Sequence, residues 1–229
     1  MATTGICNSA KVEFLQAGHC FNATQSGVTV TNTSGQTAYT GLSSTAGLAV
    51  GMSIFGTGVG GGSVIAAITS ATALTASVAS SGSVSSATFV GDSFKMALIK
   101  VSPSLTYSAT QTNYGSGSGT PTTSNIGTDE ATGTGYTAGG IPLSNVTPAL
   151  SSTTATTSFS PSPSLTSATI SVTAGIVYNT STRLGAAAAP LNGRTIGVYD
   201  FGGTQTVTAG TITFTMPTNA AGTALIQLA

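Results

Sequence analysis

Two runs rich in β-branched and aromatic residues, Thr169–Tyr178 and Arg194–Phe201, flank a small-residue link that ends in Asn192-Gly193. Such side chains fit a pleated, half-buried surface, so both runs are read as strands. Asn-Gly marks a turn because both residues tolerate positive φ, although the link is longer than a two-residue hairpin needs. The pattern recurs along the chain. Val28–Asn32 alternates as VTVTN, and Met52–Phe55, Val64–Thr69, Ala73–Val78 and Ala87–Val90 are further short runs, with Ser70-Ala71-Thr72 as a hairpin link. Asp92–Val101 sets Phe94, Met96 and Leu98 against Lys95, Ala97 and Ile99, a strand buried for much of its length with Lys95 and Lys100 reaching a rim or a partner. Thr206–Ala209, Thr211–Met216 and Thr223–Leu228 are expected as three separate alternating strands.

One helix is expected, over Asn8–Gly18, capped by Asn8 or Ser9 and ended by Gly18, with Ala10, Phe14, Leu15 and Ala17 as its apolar stripe and Lys11 outside. Ser104–Gly135 reads as loop, Tyr136–Pro142 as a turn into a strand, and Thr147–Pro163 as a Ser/Thr/Pro-rich connection. The expected fold is all-β: a β-sandwich or jelly-roll-like main domain with one short N-terminal helix and an inserted small β module. Its parts are an N-terminal arm and helix (1–23), the inserted module (24–91) and the main domain (92–229), which packs with 1–23 and holds Tyr178, Tyr199, Phe201 and Phe214 inside.

Charge is scarce and unevenly spread. Charged residues make up 4% of the chain, against roughly a quarter in an average soluble domain, and five cations balance five anions. None lies between Glu13 and Asp92, between Glu130 and Arg183, or after Asp200. A chain without a net field does not steer nucleic acid or an anionic membrane, and nucleic-acid binding is disfavoured. A surface of Ser, Thr, Asn and Gly suits a protein buried in an assembly or facing the outside world. Long Gly/Ser/Thr tracts resemble linkers, but the recurrent Val, Ile, Leu and Phe predict a folded chain. Met1–Cys7 lacks a basic n-region followed by an apolar stretch, and Ala46–Ile68 is broken by glycines, so neither a secretory signal nor a membrane span is expected.

No motif carries convincing chemistry. Cys7, Cys20 and His19 supply at most three zinc donors where a structural site takes four; buried free thiols are expected, with a Cys7–Cys20 bridge as the alternative. A reactive Cys20-His19 pair with Glu13 as the nearest acid has weak support. Gly56–Gly61 matches GxGxxG, but the residues that follow favour strands and no acidic residue appears before Asp92, so it is read as a glycine-rich turn. Asp129-Glu130 invites acid/base or calcium chemistry; neighbours in an extended chain point to opposite faces, and a solvated loop tip is expected. Asp200 precedes Phe201-Gly202 without any kinase partner motif and is read as capping a turn at Gly202-Gly203. The sequons at Asn22, Asn32, Asn145 and Asn179 are expected by chance in so Ser/Thr-rich a chain. No catalytic, cofactor-binding or metal residue is assigned.

The order SAKVEFLQAG, DSFKMALIK, GTGYTAGGIPLSN, IVYNTSTRLGAAAAPLNGRTIGVYDFGG and TITFTMPTNAAGTALIQLA resembles small accessory virion proteins of tailed bacteriophages. Gly47–Ile54 with the glycine turn after it resembles a β module inserted in many phage structural proteins. The resemblance implies a non-enzymatic capsid decoration or cement protein, made in the host cytoplasm and resident in the virion. It also implies that the partners are the major capsid protein and copies of itself, as a homotrimer, with no nucleic acid, membrane or small-molecule substrate. A tail or fibre component is the alternative, and a secreted adhesin or hydrolase is a third reading.

Overall fold

The computed structural model describes residues 2–16, 18–114, 126–181 and 191–228. In chain order its strands are β1 (Gly5–Ile6), β2 (Gln25–Asn32), β3 (Ala38–Tyr39), β4 (Ser53–Phe55), β5 (Ile65–Ser70), β6 (Ala73–Ala76) and β7 (Val84–Val90). There follow β8 (Phe94–Lys100), β9 (Ile141–Leu143), β10 (Ala149–Ser151), β11 (Thr154–Thr157), β12 (Ser164–Asn179), β13 (Thr195–Thr213) and β14 (Ile226–Leu228). The fold is all-β with one short α-helix, α1 (Asn8–Leu15).

The chain divides into two compact units, one of Met1–His19, Ser93–Ser144 and Leu150–Ala229, the other of Cys20–Asp92 with Asn145–Ala149. The second unit holds two three-stranded sheets, β2-β7-β4 and β3-β6-β5, both antiparallel. They share one core, in which Val30, Tyr39, Ile54, Ile65, Leu74 and Phe89 are buried. Period-2 spacing turns Ala87 and Phe89 of β7 inward with Thr88 less buried between them, and Val84 is buried ahead of the exposed Ser85-Ser86 pair that interrupts the alternation. The Ala71-Thr72 link closes the β5–β6 hairpin, since Ser70 lies opposite Ala73.

The first unit is built on a five-stranded antiparallel sheet, β1-β13-β12-β8-β9. At its centre β12 pairs with β8 from Val172 to Asn179 and with β13 along its length. Buried on both faces, Met96–Ile99 and Ala174–Tyr178 read as continuous apolar runs. A second sheet, β10-β11-β14, ties in the C-terminal strand.

Five local expectations are corrected. Residues 195–213 form one strand where the sequence suggested separate ones broken at Gly202-Gly203: Asp200 does accept a 3.0 Å bond from Gly202 N–H, but the glycines form a bulge and β13 continues beyond them. Thr147–Pro163 contains β10 and β11 and is no mere connection, because Ala155 and Thr157 pair across to Leu228 and Ile226. Cys7 caps α1, without a side-chain bond, while Asn8 Oδ1 accepts from Lys11 Nζ inside the first turn. The helix buries Ala10 and Glu13, leaves Leu15 84% exposed and so presents no apolar stripe; Ala17 lies outside the described residues. Of the four aromatics expected inside, Tyr178 and Phe214 are buried, whereas Tyr199 and Phe201 are half-buried.

Candidate functional site

Ionisable side chains in the first unit form two internal networks. Glu13, in the last turn of α1, bonds His19 Nε2 through Oε2 at 2.7 Å and Arg194 Nε through Oε1 at 2.6 Å, with Arg194 Nη2 on the same oxygen. Asn179, the last residue of β12, donates from Nδ2 to His19 Nδ1 at 2.9 Å while its Oδ1 accepts from Ser181 N–H. That pattern fixes the tautomer with the proton on Nε2. Burial pushes the Glu13 carboxyl up, but the His19 hydrogen bond and the Arg194 guanidinium outweigh it and hold the group below the usual carboxylate range. With both ring nitrogens and both carboxylate oxygens engaged, the cluster clamps the helix to the ends of β12 and β13.

The second network corrects the reading of Asp129-Glu130 as a solvated tip. Asp129 is buried and accepts from Ser104 N–H (2.8 Å), Leu105 N–H (2.9 Å) and Tyr107 Oη (2.9 Å), with Lys100 Nζ at 3.1 Å. Burial opposes its charge, yet these donors hold the carboxyl well below the usual range. Glu130 turns the other way and accepts from Tyr114 Oη, Tyr136 Oη and Gly139 N–H at 2.8, 2.6 and 2.7 Å. Tyr114 stacks on Tyr178 at 4.1 Å, and burial with the nearby Glu130 charge pushes the Tyr178 phenol up to about 12. The two carboxylates are therefore directed apart, Asp129 closing a single 3-10 turn over Gly127–Asp129 and Glu130 beginning extended chain, and each anchors a loop to the sheet.

The remaining candidates resolve structurally. Cys7 and Cys20 are both free and buried, so the bridge is not formed. Burial pushes the Cys7 thiol up to about 11 despite its Thr195 hydrogen bond, which opposes thiolate chemistry there. Among the described residues no three His, Cys, Asp or Glu side chains converge as metal ligands. Gly56–Gly61 is a turn leading into β5, and a Cβ on Gly58, whose φ is +83°, would lie 2.7 Å from Ser83 O. The sequon amides point inward: Asn22 Nδ2 donates to Gly47 O, Asn32 to Ala38 O and Asn145 to Asp92 O, and Asn179 is the His19 partner. No described helix is long and apolar enough to cross a membrane.

Among the described charged residues, Lys11 and Asp200 alone are classed as exposed. The rest of the described surface is hydroxyls, glycines and backbone with scattered apolar side chains, among them Leu15, Phe55 and Leu150. Its most distinctive part is the outer edge of β13. There β1 pairs only with Gly197 and Val198, Asp200 N–H goes to Thr4 Oγ1 at 2.9 Å, and no described strand pairs beyond. Residues 202–206, 208, 209, 211 and 213 are exposed, and Ser171 and Thr206 exchange a 2.9 Å hydroxyl bond beside a shallow groove lined by Lys100, Thr132, Thr169 and Thr208.

Sequence reasoning weighed Glu13, His19, Asp129 and Glu130 but not their partners. Asn179 and Arg194 lie far from Glu13 in the chain, and no local pattern announces such a pairing. No family model matches this chain, and neither does any curated protein or solved structure.

Proposed function

We propose that this chain is a structural protein of a tailed-phage particle, a capsid decoration protein that binds the outer coat lattice and stabilises the head. The observation that supports this reading is where the charge goes. Glu13, Arg194, Asp129 and Lys100 are spent on internal bonds, and Glu130 on two tyrosines and a backbone amide. What is left outside is a charge-poor surface of hydroxyls, backbone and scattered apolar side chains with an open strand edge, suited to contacts with coat subunits and with copies of itself. Each copy bound across neighbouring subunits stabilises the closed shell by mass action.

Quantitative mass spectrometry of purified particles tests this by counting copies of the chain per copy of the major coat protein. Hundreds of copies per particle are expected. A dozen or a few dozen would move the protein to the tail or a vertex fibre, and absence from particles would discard the virion reading.

A further inference from the structure

We infer that the free edge of β13 pairs with the same edge of a second copy of this chain, antiparallel across a two-fold axis through Val207. Three observations carry it. The edge has no backbone partner among the described residues after Asp200. The run from Phe201 to Thr213 contains no charge and no proline, two of the devices by which sheet edges are kept from pairing. A neutral strand also meets its own copy without opposing like charges, so an isologous contact carries no electrostatic penalty.

The register follows from the pleat. A two-fold axis normal to the sheet keeps each face on its own side, so Val207 lies opposite its own copy and Thr206 opposite Thr208. The exposed hydroxyl row that starts at Thr169 and Ser171 on β12 then continues through Thr206 and Thr208 into the partner. The irregularity at Ala209, where φ is +47°, ends the regular run at Thr208. The contact is therefore short and weak in solution, and it gains strength where a lattice holds copies close together. In that use it rests on the decoration reading, but its test does not need particles.

The test is sedimentation velocity of the purified full chain over a wide concentration range, beside a variant carrying Thr206→Lys and Thr208→Lys, which sets lysine opposite lysine twice in the pair. The expected result is a concentration-dependent dimer whose dissociation constant rises about tenfold or more in the variant. Hydrogen exchange should slow at those amides of Gln205–Thr208 that point away from β12 in the wild type alone, with matching melting curves confirming that the variant is folded. A monomer at every concentration overturns the inference. So does a dimer or trimer of unchanged affinity in the variant. Copy number in particles is measured separately, so failure of this contact and failure of the decoration reading are distinct results.

Discussion

The two units of this protein are held together by different forces. The unit of Cys20–Asp92 with Asn145–Ala149 contains one charged residue, Asp92, and relies on two small sheets closed over Tyr39, Ile65, Leu74 and Phe89. The other unit carries every remaining charge and spends most of them inside, where Glu13 and Asp129 fasten a helix and two loops to a long sheet. Apolar burial is non-directional and insensitive to pH, whereas a buried carboxylate specifies which donors must meet it and fails when it is protonated. The first device suits a compact module; the second suits a sheet that must hold the loops carrying Ser104–Tyr107 and Tyr136–Gly139 in place.

The largest contrast is expected from removing one anchor of each kind. Asp129→Ala takes the carboxylate away from the Ser104 and Leu105 amides and the Tyr107 hydroxyl, while Lys100 keeps its Thr128 carbonyl, at a cost of about 3–5 kcal/mol. Phe89→Ala opens a cavity in the other core at a similar cost of about 3–5 kcal/mol. Hydrogen exchange should assign the loosening to β8 and β12 in the first variant and to β2, β4 and β7 in the second. Loosening of all strands alike in either variant would show that the units do not unfold separately.

Acid should separate the units without mutation. The folded carboxyls of Glu13 and Asp129 lie below their unfolded values of roughly 4.3 and 3.9. Their stabilisation is therefore present above about pH 4 and is lost as pH falls through the lowered folded values. At the other end, Tyr178 titrates near 12 when folded against about 10 when unfolded, so its stabilisation is present below about pH 10 and fades as pH rises toward 12. Thermal melts followed by exchange at β12 and at β7 should show the first unit weakening in acid while the second changes little, whereas strong base weakens both, since burial also raises the Tyr39 phenol in the second core. Equal acid sensitivity of β7 would contradict this division of forces.

How much of this was legible in the sequence follows the same line. The β6 and β8 runs, the glycine turn before β5 and the all-β class were readable because each depends on local side-chain alternation or on φ preferences. The continuity of β13 was hidden, since Gly202-Gly203 is as compatible with a bulge as with a reversal and only pairing with β12 decides. Leu15 was expected inside on spacing alone, whereas α1 turns the Glu13 side inward because Arg194, far along the chain, waits there. Asp129-Glu130 looked like a loop tip because its donors, among them Tyr107 and Tyr136, acquire meaning only once the loops are folded.

A smaller effect tests the glycine turn of the charge-poor unit. Gly58→Ala imposes a side chain at φ +83° and sets its Cβ 2.7 Å from Ser83 O, a backbone atom that cannot swing away. The left-handed conformation alone costs an L-residue roughly 1–2 kcal/mol, and the close contact adds to it. Gly62, also at positive φ (+72°) but with open space around its Cβ position, is the control: Gly62→Ala should cost only the conformational part. Equal losses in the two variants, read from denaturant midpoints, would mean that the Ser83 contact relaxes freely.

The smallest effect belongs to α1. Leu15 is 84% exposed and Val12 56%, so their side chains contribute little burial to the folded chain. Leu15→Ser should change stability by no more than about 0.5 kcal/mol, the range of ordinary surface substitutions. Glu13→Gln, two residues earlier, removes the charge that Arg194 and His19 address and should cost several times more. The ratio of these two losses measures how far the helix is held by its buried carboxylate and how far by its apolar residues. A Leu15→Ser loss equal to that of Glu13→Gln would return the helix to an ordinary amphipathic role and erase the contrast between the units at that point.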